Sequence, residues 1–388
     1  MNIKYPLANS AWDNDELDAM QKVIDSGRFT MGPLVKEFEK AFAKYLNSEF
    51  CVMVNSGSSA NLLIIAALFF SKKFSLKKGD EVIVPAVSWS TTYYPLQQYG
   101  LKLRFVDIDL YTLNYDIEKL KKSITKKTKL ILAVNLLGNP NDFDALESIL
   151  EDGKIILIED NCESLGASFK GKKTGTFGLM GSYSTFFSHH ISTMEGGIIS
   201  THDEELYQIL LSLRAHGWTR DLPKNNLVCD KKSDNDFFES FRFILPGYNV
   251  RPLEIEGAIG LKQLKKLPNI ISQRQKNGAT FLKVMKNHPS IIVQKEVGES
   301  SWFGFSLIIK NDLNNNREEL LKKLRLLGFE TRPIVAGDFT QNPVIKYFDY
   351  EIPYELNNAN YIHKNGLFIG NQHYPMNEAF DALSNLEF

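Results

Sequence analysis

The sequence is poor in cysteine and lacks any long apolar run. It contains only three cysteines in 388 residues, Cys51, Cys162 and Cys229, and none of them belongs to a C-x-x-C pair. An odd number of widely spaced cysteines argues against a disulfide framework, a zinc site or a cysteine-bound iron–sulfur cluster. The longest apolar run, residues 62–70, is far too short to span a bilayer.

The sequence also lacks a charge bias and an apolar N-terminal core. Lys and Arg total 45 and Asp and Glu total 46, so nothing favours nucleic acid or an anionic membrane as a partner. The first ten residues do not resemble a signal peptide. We therefore expect a soluble, cytoplasmic protein, and a chain of this length predicts two domains.

Apolar runs of strand length alternate with runs compatible with helices from about residue 51 to residue 215. The predicted strands cover residues 51–55, 81–84, 103–107, 129–134, 155–159 and 182–187. This alternation predicts an α/β fold, a mostly parallel sheet with helices on both faces. Later helix and strand patterns predict a smaller α+β domain. We expect a large domain over residues 1–255 and a small one over residues 256–388.

Several polar or aromatic residues follow the predicted strands. Ser56, Trp89, Asp160 and Ser188 all lie at or just past strand ends. Because ligands of such sheets bind beyond the carboxyl ends of the strands, we expect these residues to share one site.

Five motifs occur in the order and at roughly the spacing of the DegT/DnrJ/EryC1/StrS sugar aminotransferase family. They are S-G-S-S-A from residue 56, W-S from residue 89, E-D-N-C-E from residue 159, S-T-F-F-S-H-H-I-S-T-M-E-G-G from residue 184 and G-Y-N-V-R from residue 247. The segment D-S-G-R-F-T-M-G-P at residues 25–33 extends the resemblance over nearly the whole chain. The resemblance implies the aspartate-aminotransferase fold (fold type I) and pyridoxal 5'-phosphate as cofactor.

The resemblance implies four contacts with the cofactor phosphate. Gly57 and Ser58 stand where backbone N–H groups at a helix N-terminus could bind it, and Ser184 could add a hydroxyl. An ordinary turn capped by Ser58 or Ser59 is the alternative. Asn249 would reach the phosphate of the neighbouring subunit, which would make the site a property of a homodimer.

Three further residues would contact the ring of the cofactor. Asp160 could accept a hydrogen bond from the pyridinium nitrogen, Glu163 could approach the phenolic oxygen, and Trp89 could stack on the ring. Taken singly, Asp160 could cap a turn, Glu163 could face solvent and Trp89 could belong to a core or an interface.

The lysine that bonds covalently to the cofactor in this family is missing. Counting six residues back from Glu195 places it at His189, and no lysine stands between Thr174 and Pro223. Imidazole cannot hold the cofactor covalently, but it can move protons. Because the surrounding motifs are intact, we favour altered chemistry over loss of activity. For the neighbouring His190 we expect a buried, hydrogen-bonded structural role.

Within the family, the chain resembles a branch that dehydrates sugar nucleotides in deoxysugar biosynthesis. The resemblance implies that pyridoxamine 5'-phosphate is held without a covalent bond and that GDP-4-keto-6-deoxy-D-mannose loses its C3 hydroxyl. L-Glutamate would restore the amine form and ammonia would be released. His189 would take a proton from the cofactor and give one to the leaving hydroxyl. The alternatives are a sugar-nucleotide aminotransferase and a cofactor-binding protein without turnover.

The resemblance also implies contacts with the sugar nucleotide outside these motifs. The candidates are Gly27, Arg28, Phe29, Thr30, His216, Arg220, Arg251 and Glu330. Arginine suits forked binding of phosphate. For each candidate, a surface ion pair or a loop anchor is an equally good interpretation.

Overall fold

The computed structural model describes residues 3–150, 153–310 and 317–386 of the chain. The first part contains α1 (Asn14–Ser26), α2 (Pro33–Leu46), β1 (Phe50–Val54), α3 (Gly57–Phe70), β2 (Glu81–Pro85), α4 (Ser90–Gln98), β3 (Lys102–Val106), α5 (Ile117–Ser123), β4 (Thr128–Val134), α6 (Phe143–Leu150), β5 (Ile156–Asp160), β6 (Ser168–Phe169), β7 (Lys172–Lys173), β8 (Met180–Ser184), β9 (Gly197–Thr201) and α7 (Glu204–Arg214). The second part contains β10 (Asn225–Asn226), β11 (Asp230–Lys231), α8 (Asp236–Glu239), α9 (Glu254–Met285), β12 (Ile291–Ile292), β13 (Gly304–Ile309), α10 (Arg317–Leu326), β14 (Thr331–Arg332), β15 (Tyr350–Glu351), α11 (Asn357–Asn365), β16 (Gly366–Gly370) and α12 (Asn377–Ser384).

In the described part of the chain, the central sheet has the strand order β1-β9-β8-β5-β4-β2-β3-β15. Only β9 is antiparallel to its neighbours, and the other strands run in one direction. The inner strands β2 and β4 each contain an apolar run, since helices cover the sheet. The predicted α/β class and mostly parallel sheet are therefore confirmed.

The sheet strand that precedes the histidine pair is shorter than predicted. We expected it to run to Phe187, but β8 ends at Ser184. The next residues leave the sheet, and the Phe187 N–H donates to the carbonyl of Met194 across a loop. Phe186 and Phe187 are exposed there, so their apolar character does not reflect a buried strand. This loop holds the histidines beyond the edge of the sheet.

Helix α9 connects the two parts of the chain. It contacts α1 and α2 near its start and α12 further along. Beyond it, β12, β13, β16 and β14 form a separate antiparallel sheet with its own apolar cluster. Helix α9 is 32 residues long. The predicted division at residues 255 and 256 stays a prediction, since α9 packs on both parts.

No helix within residues 3–150, 153–310 and 317–386 is both long and apolar enough to cross a membrane.

Candidate active site

A cavity of about 360 Å³ opens where the parallel strands of the central sheet end. Seven of the eight residues predicted for the cofactor and for catalysis line it: Gly57, Ser58, Trp89, Asp160, Glu163, Ser184 and His189. The eighth, Asn249, lies on an exposed loop outside it. The strand ends thus bring together residues that are far apart in the sequence, as expected of an open α/β sheet.

One end of the cavity is the N-terminus of α3. Ser56 caps this helix, and its Oγ accepts a hydrogen bond from the Ser59 N–H at 3.1 Å. The sequence had suggested Ser58 or Ser59 as the cap. A Cβ atom on Gly57 would lie 2.8 Å from Cys162 Sγ and from Ser184 Cβ, so only glycine fits there. The free N–H groups and the helix dipole make this end suitable for a phosphate.

Asp160 ends β5 at the bottom of the cavity and is only 6% exposed. Its Oδ2 accepts hydrogen bonds from Asn61 Nδ2 at 2.8 Å and from Thr92 Oγ1 at 2.7 Å. Its Oδ1 accepts one from the Cys162 N–H at 3.2 Å. Three donors therefore fix the orientation of this carboxylate, leaving it able to hold a ring N–H.

Sequence reasoning missed Asn61 and Thr92, the two side chains that orient Asp160. A signal for Asn61 was present, since it follows Gly57 by four residues and therefore lies on the same face of α3. Nothing in the sequence separates Thr92 from its neighbours in α4.

Glu163 lies beside a strained turn after β4. Its Oε2 accepts a hydrogen bond from the Leu137 N–H at 3.0 Å, and Leu137 has a φ of 53°. A left-handed backbone is costly for leucine, and such strain is concentrated at functional sites. Burial, with a smaller contribution from the negative charge of Asp160, raises the pKa of Glu163 to about 7, against the opposing effect of the Leu137 N–H. Near neutral pH this carboxyl group can therefore either donate or accept a hydrogen bond.

His189 lines the cavity in the loop after β8. Its ring lies 5.2 Å from the ring of Phe303 and 6.1 Å from that of Phe186. Its Nδ1 is buried and has no hydrogen-bond partner among the described residues. Burial, with a smaller contribution from the positive charge of Arg274, lowers the pKa of His189 to about 4. The imidazole is therefore neutral at physiological pH and able to accept a proton.

His190 is buried on the other side of the loop, as predicted. It is 2% exposed and its Nε2 lies 3.2 Å from the carbonyl oxygen of Ser301. It is not among the residues that line the cavity. Its expected structural role in the loop stays a prediction.

The remaining predicted cofactor residues differ in exposure. Trp89, directly before α4, is mostly exposed at the rim of the cavity, where a flat ligand could stack on the indole ring. Ser184 is buried, and its Oγ accepts a hydrogen bond from the Phe186 N–H at 3.2 Å. Ser58 Oγ lies 2.9 Å from Thr91 Oγ1.

The eight predicted substrate-contact residues lie outside the lining of this cavity. Residues 27–30 are exposed after α1, and the His216 N–H donates to the carbonyl of Tyr248. The Arg220 guanidinium stacks 3.6 Å from the Trp218 ring centroid. The remaining two, Arg251 and Glu330, bond within the chain: Arg251 Nε donates to Asn249 Oδ1, and Glu330 Oε2 accepts from the Leu7 N–H. Their substrate roles stay predictions.

An apolar wall faces the polar end of the cavity, and sequence reasoning missed it. It consists of Leu136, Phe186, Phe303 and Val335. Phe303 and Val335 come from the last third of the chain, so only the folded structure places them here. These side chains give one side of the cavity an apolar surface.

The residues around the cavity fit a phosphorylated pyridine cofactor. The α3 N-terminus suits a phosphate, Asp160 suits a protonated ring nitrogen, and the exposed face of Trp89 suits a flat ring. Within the described ranges, no group of three or more His, Cys, Asp or Glu side chains could hold a metal ion. Pyridoxal or pyridoxamine phosphate would thus match the donor set.

Comparison with known proteins gives the same assignment for nearly the whole chain. The model of the DegT/DnrJ/EryC1/StrS aminotransferase family matches residues 10–381. The chain is 60% identical over 385 residues to GDP-4-keto-6-deoxy-D-mannose 3-dehydratase of Yersinia pseudotuberculosis, covering 99% of this chain and 98% of that protein.

Two solved structures are similar along their whole length. One is the E. coli GDP-4-keto-6-deoxy-D-mannose-3-dehydratase with bound hydrated PLP, with a TM-score of 0.98, 60% identity and coverage of 99% of each chain. The other is a GDP-4-keto-6-deoxymannose-3-dehydratase with a trapped PLP-glutamate geminal diamine. Its TM-score is 0.97, its identity is 60%, and the match covers 98% of this chain and 99% of that one.

Proposed function

This chain belongs to the DegT/DnrJ/EryC1/StrS aminotransferase family, and we propose that it removes the C3 hydroxyl of GDP-4-keto-6-deoxy-D-mannose. Its fold is the aspartate-aminotransferase type, fold type I. The observation that carries the proposal is His189, which stands at the family's lysine position and lines a cavity together with six of the seven predicted cofactor residues. L-Glutamate is the proposed amino donor, in line with the glutamate adduct trapped in a relative. A cytoplasmic location, expected from the three free cysteines, belongs to the same proposal.

The cavity residues would hold pyridoxamine phosphate without a covalent bond. When bound, this cofactor supplies the amine that attaches to the C4 carbonyl of the sugar and the conjugated ring that takes up electrons. The α3 N-terminus at Gly57, with Ser58 and Ser184, would bind the phosphate. Asp160 would hold the ring nitrogen, and Trp89 would cover one face of the ring.

Two cavity residues would hold or move protons. His189 would take a proton at the C4′ carbon of the cofactor and return one to the C3 hydroxyl as it leaves. A neutral imidazole is the form needed for the first step, and burial favours that form. Glu163, with its pKa raised to about 7, would hold a proton close to the phenolic oxygen. The apolar side chains of Phe186 and Phe303 would help to exclude water from the cavity during these proton transfers.

The function is tested by incubating the protein with pyridoxal phosphate, L-glutamate and GDP-4-keto-6-deoxy-D-mannose. In the proposed reaction the sugar loses one oxygen, the cofactor nitrogen leaves as ammonia and glutamate replaces it, becoming 2-oxoglutarate. Mass spectrometry of the sugar nucleotide should therefore show a product lighter by one oxygen, together with released ammonia. A product that gains an amine would indicate an aminotransferase. An unchanged sugar together with no glutamate half-reaction, seen as an aldehyde absorbance that persists after L-glutamate is added, would leave only cofactor binding.

We further propose a homodimer, because an aromatic surface is left uncovered on one chain. This aromatic patch consists of Phe237, Phe238, Phe241 and Phe243, all exposed, and Phe241 is 70% exposed. The rings of Phe241 and Phe243 lie 5.4 Å and 5.6 Å from that of Trp218. Contiguous exposed apolar side chains mark interaction sites. Asn249 follows the patch by six residues, and we propose that a second copy seated on the patch receives Asn249 near its cavity.

Replacing Phe241 with aspartate should break the dimer, because a charge in the middle of an apolar interface must be desolvated. We expect a monomer by sedimentation velocity and a loss of most dehydratase activity. Leu326→Asp is the matched control, since Leu326 is an 87% exposed residue at the end of α10, away from the patch. A dimer that persists in Phe241→Asp would place the interface elsewhere.

Mixing two inactive variants tests whether the sites are shared. Asn249→Ala and His189→Asn protomers, mixed in equal amounts, should regain about one quarter of the wild-type activity, since half of the dimers are hybrids with one intact site. Sites contained within single protomers would regain nothing.

A further inference from the structure

Arg274 of α9 carries a buried positive charge that lacks an acidic partner. The side chain is 4% exposed, and its Nη1 donates weakly to the carbonyl oxygens of Trp302 at 3.4 Å and Phe303 at 3.2 Å. Its Nε is buried without a hydrogen-bond partner, and no ion pair of Arg274 exists within the described ranges. Burial alone lowers its pKa to about 10.

Such an arrangement is costly and therefore calls for an explanation. Buried arginines are normally paired with a carboxylate, because an uncompensated buried charge destabilises the fold. The buried Arg104 and Arg214 follow that rule, since they are paired with Glu81 and Glu39. An uncharged side chain would fill the site of Arg274 at a lower cost, so its charge is the feature to explain.

The geometry connects Arg274 to both histidines of the loop after β8. Residues 301–303 run between the guanidinium and the two imidazoles. The Phe303 ring lies 5.2 Å from the His189 ring and 5.8 Å from the His190 ring. The Phe303 N–H donates to the carbonyl of Leu137, so the segment is also anchored to the turn that binds Glu163. The ring of Phe303 is therefore held firmly against His189.

The charges around His189 act in opposite directions. Asp160 and Glu195 line the same cavity, and their negative charges would favour a protonated imidazole, as would the phosphates of a bound ligand. Glu163 also lines the cavity, but its raised pKa leaves it only partly charged near neutral pH. Arg274 opposes them, because a positive charge disfavours an imidazolium nearby. The neighbouring His190 and His373 are held neutral by burial and by the same arginine.

We propose that Arg274 is a positioning residue for His189: through Phe303 it fixes the imidazole, and its buried charge keeps that imidazole a base until the proton is taken. The same charge then makes the imidazolium a better donor to the leaving hydroxyl. One proton enters and one leaves, so the histidine ends as it began. This inference rests on the proposed function for its catalytic meaning.

The test follows the protonation of His189 by NMR in protein labelled with ¹⁵N-histidine, with the His189 signals assigned from His189→Asn. The chain has seven histidines, so the spectrum is simple. The Arg274→Gln side chain can still donate to the carbonyls of Trp302 and Phe303. In this variant the pH midpoint of the His189 titration should rise by at least about half a pH unit, towards the ordinary histidine value of about 6.5. In Arg274→Lys, which keeps the charge, the His189 midpoint should stay within about 0.2 pH units of the wild-type value.

The matched control is Arg104→Gln, which removes another buried guanidinium far along the sheet in β3. It should lower the melting temperature without moving the His189 midpoint. An unchanged midpoint in Arg274→Gln would overturn the proposal, as would an equal rise in Arg274→Lys or in Arg104→Gln. If Arg274→Gln does not fold, Arg274→Met takes its place as the variant without the charge: a rise of the His189 midpoint supports the electrostatic role, and an unmoved midpoint contradicts it.

The cofactor-loaded enzyme gives a second readout. The acid limb of the dehydration rate against pH should move to higher pH in Arg274→Gln and not in Arg274→Lys. The NMR midpoint needs neither substrate nor turnover. A failure of the proposed dehydratase activity would therefore leave the inference about Arg274 separately testable.

Discussion

Replacing His189 with asparagine should abolish dehydration, lowering its rate by about 10²–10⁴-fold or more, the usual contribution of a positioned acid–base group. Asparagine has similar polarity but cannot take up a proton near neutral pH. His189 is the only histidine that lines the cavity in the described part of the chain, so no neighbour can replace it there. The rate is measured from the mass of the sugar nucleotide over time.

Cofactor binding should survive this change. The proposed phosphate and ring contacts come from α3, β5 and the start of α4, and none of them depends on the His189 ring. The dissociation constant for pyridoxal phosphate, from an absorbance titration, should change less than about threefold, since no bond worth more than that is lost. An active His189→Asn enzyme would refute the assignment of this histidine as the proton carrier.

His190→Asn is the control for the position within the loop. His190 loses its contact with the carbonyl of Ser301 but does not line the cavity. We expect a lower melting temperature and a dehydration rate within about tenfold of the wild type, because the loss of one hydrogen bond disturbs the loop only indirectly. An equally inactive His190→Asn would mean that the loop, and not the His189 proton, limits the reaction.

The sequence predicts the central sheet well because its signal is local. Strands such as β2 and β4 contain an apolar run that is visible in the sequence, and the structure places strands at these positions. The extent of β8 is the exception. Phe186 and Phe187 continue its apolar run, but they are exposed in the loop that carries the histidines. A run of apolar residues cannot show by itself whether its side chains face a core or a cavity.

The candidate site is only half visible in the sequence. Gly57, Asp160 and His189 stand within short motifs next to strand ends, so pattern and resemblance find them together. Phe303 and Arg274 are invisible to such reasoning, because they reach the histidine from the far part of the chain through tertiary packing. Their effect depends on distance and burial, which no local spacing encodes.

Replacing Asp160 with asparagine should have the second-largest effect. The change keeps the size of the side chain but removes the negative charge proposed to hold a protonated ring nitrogen. It also places an amide opposite the donors of Asn61, Thr92 and the Cys162 N–H, so at least one donor loses its acceptor. We expect the dehydration rate to fall by about 10²–10³-fold, as when a preorganised electrostatic partner is lost.

Two measurements separate the loss of charge from the loss of shape. The absorbance spectrum of pyridoxal phosphate bound to Asp160→Asn should shift, because the ring nitrogen is less protonated without a negative partner. The rate of the glutamate half-reaction should fall along with the rate of dehydration, because both reactions need the protonated ring.

The matched control is Asn61→Ala, which removes one donor to Asp160 and leaves its charge in place. It should cost about tenfold or less in rate, as expected for one hydrogen bond to a charged group. If Asn61→Ala is as damaging as Asp160→Asn, the carboxylate acts by its position alone. If Asp160→Asn retains nearly full activity, the ring nitrogen needs no negative partner. In that case His189 would have to perform its proton transfers without the electron sink that Asp160 is proposed to maintain.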